Sequence, residues 1–311
     1  HGLLGVVCDV TVRVKPLGGR SISHSICRGA EAFAAVAVRH AESGSSIFAY
    51  FSPYDDRYLV ERQADTHVPP RANWFWTLRE HFITIDYPLL FRLGDSLPTN
   101  LAAALYSTLG RVGEVALLTL HEHASAPPHA HIGWHDHQSW TKFQWTFLAF
   151  PLHRAALVFT ELRKFCIDYR QATGYCNAYF VSYVMERDDS STFSYAADGP
   201  VVTIDPIAAN ACSRFLPFCE ALVLHLQKTV GGLCAAFNQS IGVAPRDMGS
   251  AVSCNRGAAD FLVKRAHFDP TGRFGNPFLD EVLAGVADGL EAGRPLSRGA
   301  AANGDEGRKS R

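Results

Sequence analysis

The chain has 311 residues, of which 47% are hydrophobic and 19% charged, enough apolar material for a core and too little charge for a disordered chain. Its 29 Lys+Arg against 30 Asp+Glu leave a formal net charge of −1, which excludes a global electrostatic pull on nucleic acid or an anionic membrane. There is no continuous run of about 20 apolar residues, so no transmembrane segment is expected, and length alone suggests about two domains.

The chain opens on His1 rather than Met, and Gly2-Leu3-Leu4-Gly5-Val6-Val7 runs straight into strand-like sequence. No secretory signal pattern precedes it, so the chain is expected to begin inside a domain, which leaves the compartment unread. Gly5 to Val14 reads as a Val-rich strand ended by Pro16, Gly18 and Gly19. Ala30 to Ala41 reads as a helix. Ile47 to Phe51 and Arg57 to Arg62 read as strands joined by a tight turn at Ser52-Pro53-Tyr54-Asp55-Asp56. Residues 65 to 100 show only a weak pattern; Leu101 to Leu109 looks helical, and 121 to 142 form a His-rich loop. Phe143 to Phe150 is an apolar strand.

Arg154 to Thr173 is the clearest helix, with Val158, Leu162, Phe165 and Tyr169 on one stripe and Gly174 as its stop. Cys176 to Met185, Thr192 to Ala196 and Val201 to Ile204 read as strands, the last two separated by a turn at Asp198-Gly199. Helical sequence returns from Asn210 through Gln227, at Ala258 to Ala266 and at Phe278 to Val286. From about Gly289 the tail is Gly-, Ala- and charge-rich and is expected to be loose. Closely spaced strand pairs without regular βαβ alternation predict an α+β fold, an antiparallel sheet covered by helices on one face.

Two ends of the chain carry a resemblance. His1 to Pro16 resembles the last strand of the flavin-binding domain in vanillyl-alcohol-oxidase-type flavoproteins, whose segment runs G-x-x-G-[VI]-[VI]-T-x-[VA]-T. Phe268-Asp269-Pro270-Thr271-Gly272-Arg273-Phe274-Gly275-Asn276 is similar to the F-D-P-x-G-x-F-x-N segment that closes these proteins. Between them, Phe147-Leu148-Ala149-Phe150-Pro151, Ser194 to Pro200, Thr203-Ile204-Asp205-Pro206 and Phe237-Asn238-Gln239 look like the cap region of FAD-linked oxidases of the sugar-lactone group, similar to D-arabinono-1,4-lactone oxidase.

The resemblance implies residues 1–16 as the end of an FAD-binding domain, 17–288 as a substrate or cap domain with its closing segment, and 289–311 as a tail. It implies FAD, bound mostly by sequence upstream of His1, and transfer of a hydride from an alcohol or sugar-lactone-type substrate to flavin N5, with oxygen or another acceptor taking the electrons. The cofactor supplies the redox chemistry and the protein supplies position and polarity. On that footing the isolated chain is expected to bind flavin poorly and to be inactive. Gly2, Gly5, Val6 and Val7 fall where the family approaches the flavin nucleotide.

The lactone oxidases carry a Glu-x-Arg pair ahead of D-x-x-x-x-S. Aligning Asp189 and Ser194 with that segment puts Ser182 and Val184 in its place, with Tyr183, Glu186 and Arg187 nearby; a shift of one residue flips their faces. The family's H-W-x-K is not seen, and Asn238-Gln239 occupies roughly that region. These departures point away from lactones.

Asn238 and Gln239 either grip substrate hydroxyls and the flavin edge or satisfy backbone groups in a turn. Tyr195 is either a proton-handling phenol facing the flavin or a core residue. Asp205, before Pro206, either caps a following helix, the commoner role, or orients a substrate. A second class of function rests on His121, His123, His129, His131, His135 and His137, whose H-x-H pairs suit metal ligation with Glu122, Asp136 and Glu161 beside them, against an exposed Pro127-Pro128 loop; no metal site is assigned. A non-catalytic remnant of the cap fold is the third. The eight cysteines match no zinc or disulfide spacing and read as reduced core thiols.

Overall fold

A computed structural model describes residues 9–12, 19–43, 46–66, 78, 81–120, 125–126, 143–177, 179–188, 190, 194–210, 212–235, 241–253 and 257–292. In chain order its elements are β1 (Gly19–Arg28), α1 (Ala30–Ser43), β2 (Ser46–Ser52), β3 (Arg57–Thr66), α2 (Tyr87–Ser96), α3 (Thr99–Leu120), β4 (Ser125–Ala126), β5 (Phe143–Trp145), β6 (Leu148–Pro151), α4 (Ala155–Thr173), β7 (Tyr179–Met185), β8 (Val201–Ala209), α5 (Phe215–Thr229), β9 (Cys234–Ala235), α6 (Pro245–Val252), α7 (Gly257–Phe268) and α8 (Pro277–Glu291). Among the described residues the strands form one antiparallel sheet in the order β4-β1-β3-β2-β7-β8-β6-β9, and β5 pairs with β8 alongside β6. The expected α+β class therefore holds.

Because side chains alternate along a strand, each strand presents one set of residues to each face. Ile47, Ala49, Phe51, Tyr58, Val60, Phe180, Val202 and Ile204 face the main helical layer. There α1, α4 and α5 supply Phe33, Phe159, Leu162, Phe218 and Leu222, all essentially inaccessible. Phe33 stacks on Tyr58 at 4.8 Å and meets Phe159 edge-on at 4.8 Å, the offset and T-shaped geometries that aromatic quadrupoles favour. Removing such a ring costs about 3–5 kcal/mol. The predicted stripe of α4 is the buried one, with Phe159 and Cys166 added and Tyr169 half-buried; Gly174 ends the helix in the left-handed region at φ 69.

Several elements differ from expectation. The strand expected over Gly5 to Val14 falls mostly outside the described residues; of those described, Val10 and Val12 are exposed and 9–12 form no strand. Phe143 to Phe150 is two short strands, since Thr146 and Phe147 interrupt the pairing with β8. Residues 194–197 form a turn, in which Ser194 Oγ accepts from the Ala196 amide at 3.2 Å. α3 is far longer than Leu101 to Leu109, and α8 continues through Glu291, past the expected start of the tail.

By length and composition α3 is apolar enough to cross a membrane. Its mid-helix charges are instead tied to the sheet, Glu114 to Arg57 at 2.5 Å and Arg111 to Asp55 at 3.2 Å, and Ala102 and Tyr106 pack on Phe91 of α2. α2 and α3 thus cover one end of the second sheet face.

The closing segment is a turn that holds itself together. Asp269 accepts backbone hydrogen bonds from Arg273 at 2.7 Å and Phe274 at 2.9 Å and pairs with Arg265, and Asn276 caps α8 by accepting from Leu279 N at 3.0 Å. Such side-chain oxygens satisfy amides that a helix or turn leaves open. α6 lies directly on α8: a Cβ at Gly249 would fall on the Val282 carbonyl, and one at Gly285 on the Arg246 carbonyl.

Cys27, Cys166, Cys176 and Cys219 are buried and unbridged, and Cys212 and Cys234 are half-buried. Burial pushes the thiols of Cys27, Cys166, Cys176, Cys212 and Cys219 up, which suits inert core groups. Cys8 and Cys254 lie outside the described residues.

Candidate active site

The second face of the sheet carries a polar row. Register aligns His24 with Glu61, Glu61 with Phe48, and Phe48 with Tyr183; beyond them the Tyr183 amide donates to Thr203 Oγ1 at 3.0 Å. One step along the same face, Leu59 lies opposite Tyr50, Tyr50 opposite Val181, and Val181 opposite Asp205. The row is buried: Glu61 is 1%, Thr203 0% and Asp205 5% exposed.

Charges placed there need partners. His24 Nε2 lies 3.1 Å from Glu61 Oε2, and Gln63 Nε2 donates to Glu61 Oε1 at 2.6 Å. Asp205 is different. Its Oδ1 is buried with no hydrogen-bond partner among the described residues. Burial pushes its carboxyl up to about 8, against the opposing effect of a hydrogen bond with Thr203. A carboxyl that titrates near neutrality can hold a proton or take one.

Two phenols flank it. Burial, and then the negative charges of Asp205 and Glu61, push Tyr183 up; burial, then Asp205 and Asp188, do the same to Tyr195. Both hydroxyls therefore stay protonated and available as donors. Phe48 meets Tyr183 edge-on at 4.7 Å, and Phe147 meets Tyr195 at 5.0 Å, so each phenol is backed by an aromatic ring.

Of the residues singled out from sequence, Tyr195 is half-buried beside Phe147 and within the field of Asp205. Asn238, Gln239, Gly2, Gly5, Val6 and Val7 lie outside the described residues. Asp205 does not cap a helix: it lies inside β8, and the next helix begins only at Phe215. The local pattern Asp-Pro favours a cap, but the nearly continuous apolar run on either side of it makes a buried strand. Ser182 and Val184 face the helical layer, and Tyr183 faces the polar row, the one-residue change of face that a strand makes.

His24 and Glu61 were not anticipated, and Tyr183 was named only as a neighbour of the Ser182 and Val184 positions. Their signals were the Ser-Ile-Ser-His-Ser-Ile alternation of β1 and a single carboxylate after the apolar run Tyr58-Leu59-Val60. The His121 to His137 cluster lies outside the described residues, among which no group of three metal-ligating side chains occurs. Glu161 pairs with His225 at 3.1 Å.

A solvent-stable cholesterol oxidase superposes on 86% of this chain with a TM-score of 0.51 at 14% identity. The fold is that of the FAD-linked oxidases. The chain spans 60% of that oxidase's length. A VAO-type flavoprotein from Myceliophthora thermophila (TM-score 0.41, 11% identity, 82% of this chain and 45% of that one) and berberine bridge enzyme from Eschscholzia californica (0.38, 10%, 84% and 54%) show lower similarity. No family profile and no curated protein matches the sequence.

Proposed function

We propose that the chain is the substrate-side part of an FAD-dependent oxidoreductase that oxidises the CH–OH group of a small molecule, with oxygen or another acceptor receiving the electrons. The observation that carries this reading is the buried, unpartnered Oδ1 of Asp205 in the polar row on the second face of the sheet. Such an orphaned acceptor calls for a ligand that brings a donor, and an alcohol hydroxyl is one. The donor set fits the substrate side of a flavin site, and Gly2, Gly5, Val6 and Val7 are assigned to the flavin nucleotide on the resemblance alone.

When bound, FAD supplies the hydride acceptor. The chain's own residues then have these roles. Asp205 accepts the hydroxyl proton at Oδ1. Tyr183 and Tyr195 donate to the substrate oxygen and hold it. Phe48 and Phe147 keep water from the carboxyl, which strengthens each of these contacts. Asn238, three residues past the end of β9 at Ala235, and Gln239 orient the substrate through their amides. The His24–Glu61 pair fixes the neighbouring strands in register.

The test is a pH profile. Turnover of the complete FAD-loaded enzyme that contains this chain on a primary alcohol should rise through an apparent pKa near the Asp205 value of about 8, and Asp205→Asn should abolish that rise along with at least a hundredfold of rate. An unchanged profile in Asp205→Asn would remove the assignment.

A further inference from the structure

A cavity of about 310 Å³ lies under α3, against the second sheet face, at the small end of the range for small-molecule sites. Tyr50, Leu59, Phe91, Tyr106, Leu109 and Leu117 are among its walls. It is separate from the polar row. His24, Glu61, Tyr183, Thr203 and Asp205 are not part of its lining, and the rings of Tyr50, Phe48 and Tyr183, in contact at 4.4 and 4.7 Å, stand between the two.

Protein interiors leave few voids larger than a water molecule. The contacts around this one hold it open. Arg57, at the start of β3, pairs with Glu114, and Asp55, in the turn before it, pairs with Arg111, which fixes the middle of α3. Nearer the start of the helix, the Tyr106 ring meets Phe91 edge-on at 5.6 Å, and its hydroxyl donates to the Phe91 carbonyl at 3.2 Å. Gly110 and Gly113 of α3 line the cavity, and a Cβ at either would meet nothing within 4 Å. Glycine weakens a helix, and no neighbouring atom requires it at these two positions. At Gly94, by contrast, a Cβ would fall on the Tyr106 ring.

The chemistry of the walls selects the ligand. Asp55, Arg57 and Glu114 are already in ion pairs, so a charged ligand would lose its water and find no counter-ion. The Tyr106 hydroxyl is bonded as well. The aliphatic and aromatic surface that remains holds water poorly and favours rings packed offset or edge-on.

We infer that this cavity is a ligand site of its own, taking an uncharged, largely hydrocarbon molecule of two or three rings; the inference is independent of the oxidation proposed above.

The test compares two fluorescent probes with one skeleton. N-phenyl-1-naphthylamine is neutral, and 8-anilinonaphthalene-1-sulfonate carries the same rings and a sulfonate. The neutral probe should bind the full chain saturably, at one equivalent, and at least tenfold more tightly than the sulfonate. Gly110→Leu and Gly113→Leu, which fill the space, should each weaken it at least tenfold with a melting midpoint no lower than the parent's. Asp205→Asn should bind it as the parent does. Photolysis of 1-azidonaphthalene bound to the unaltered chain should label α3 between Ser107 and Leu117 together with β2 or β3, a result that depends on no variant. No saturable binding, equal affinity for the two probes, undiminished binding in both filled variants, or label confined to other elements would overturn the inference. So would a tenfold loss in Asp205→Asn, which would join the cavity to the polar row.

Discussion

Asp205 has opposite effects on stability and chemistry. Unfolded, its carboxyl ionises near the ordinary 3.8; folded, near about 8. Between those values the unfolded chain has released a proton that the folded chain still holds, so stability falls as pH rises, by about 1.4 kcal/mol per unit, and levels off above about 8. Asp205→Asn should therefore raise the melting midpoint at pH 8 and leave it unchanged at pH 4, as a pair of calorimetric scans would show. Glu61 differs in having hydrogen-bond partners. It is paired with His24 and Gln63, so Glu61→Ala leaves a buried ring without its acceptor and should cost about 3 kcal/mol in urea unfolding. Asp205 was singled out in the sequence and Glu61 was not. The direction of Asp205 was not legible, because Asp-Pro reads locally as a cap and only strand pairing fixes the face.

Among the elements, the strands and helices with strong periodicity were legible: α1, β2, β3 and α4 lie where alternation and the 3.6-residue stripe place them. β1 was missed because serine fills one of its faces, α2 because Pro88 and Gly94 bracket its short apolar stretch, and α6 because few apolar residues mark it. Ser182 against Tyr183 shows the same limit on a finer scale, since alignment to a motif tolerates a shift that a strand does not. The glycines give an element-scale prediction. Gly113→Ala, in open space inside α3, should stabilise by about 0.5–1 kcal/mol through helix propensity. Gly249→Ala, where the Val282 carbonyl leaves no room, should separate α6 from α8 and lower the midpoint. Equal responses at the two positions would show that the contact between these helices is looser than described.

At the scale of the whole molecule, one sheet has two different faces. The first is packed solid by α1, α4 and α5. The second holds a buried polar row at one end and an apolar cavity at the other, with α2 and α3 roofing the latter. Composition and strand spacing were enough for the α+β class. The polar row was not legible because its residues come from five strands spread between His24 and Asp205, and no local window contains them. The central claim is that this second face performs proton transfer for an alcohol oxidation. Its most direct test is the rate of anaerobic flavin reduction by a primary alcohol in the complete FAD-loaded enzyme and in its Asp205→Asn variant. The account predicts a loss of at least a hundredfold in the variant, with a melting midpoint at pH 8 no lower than that of the parent; reduction at the parent rate by a folded Asp205→Asn protein would contradict it.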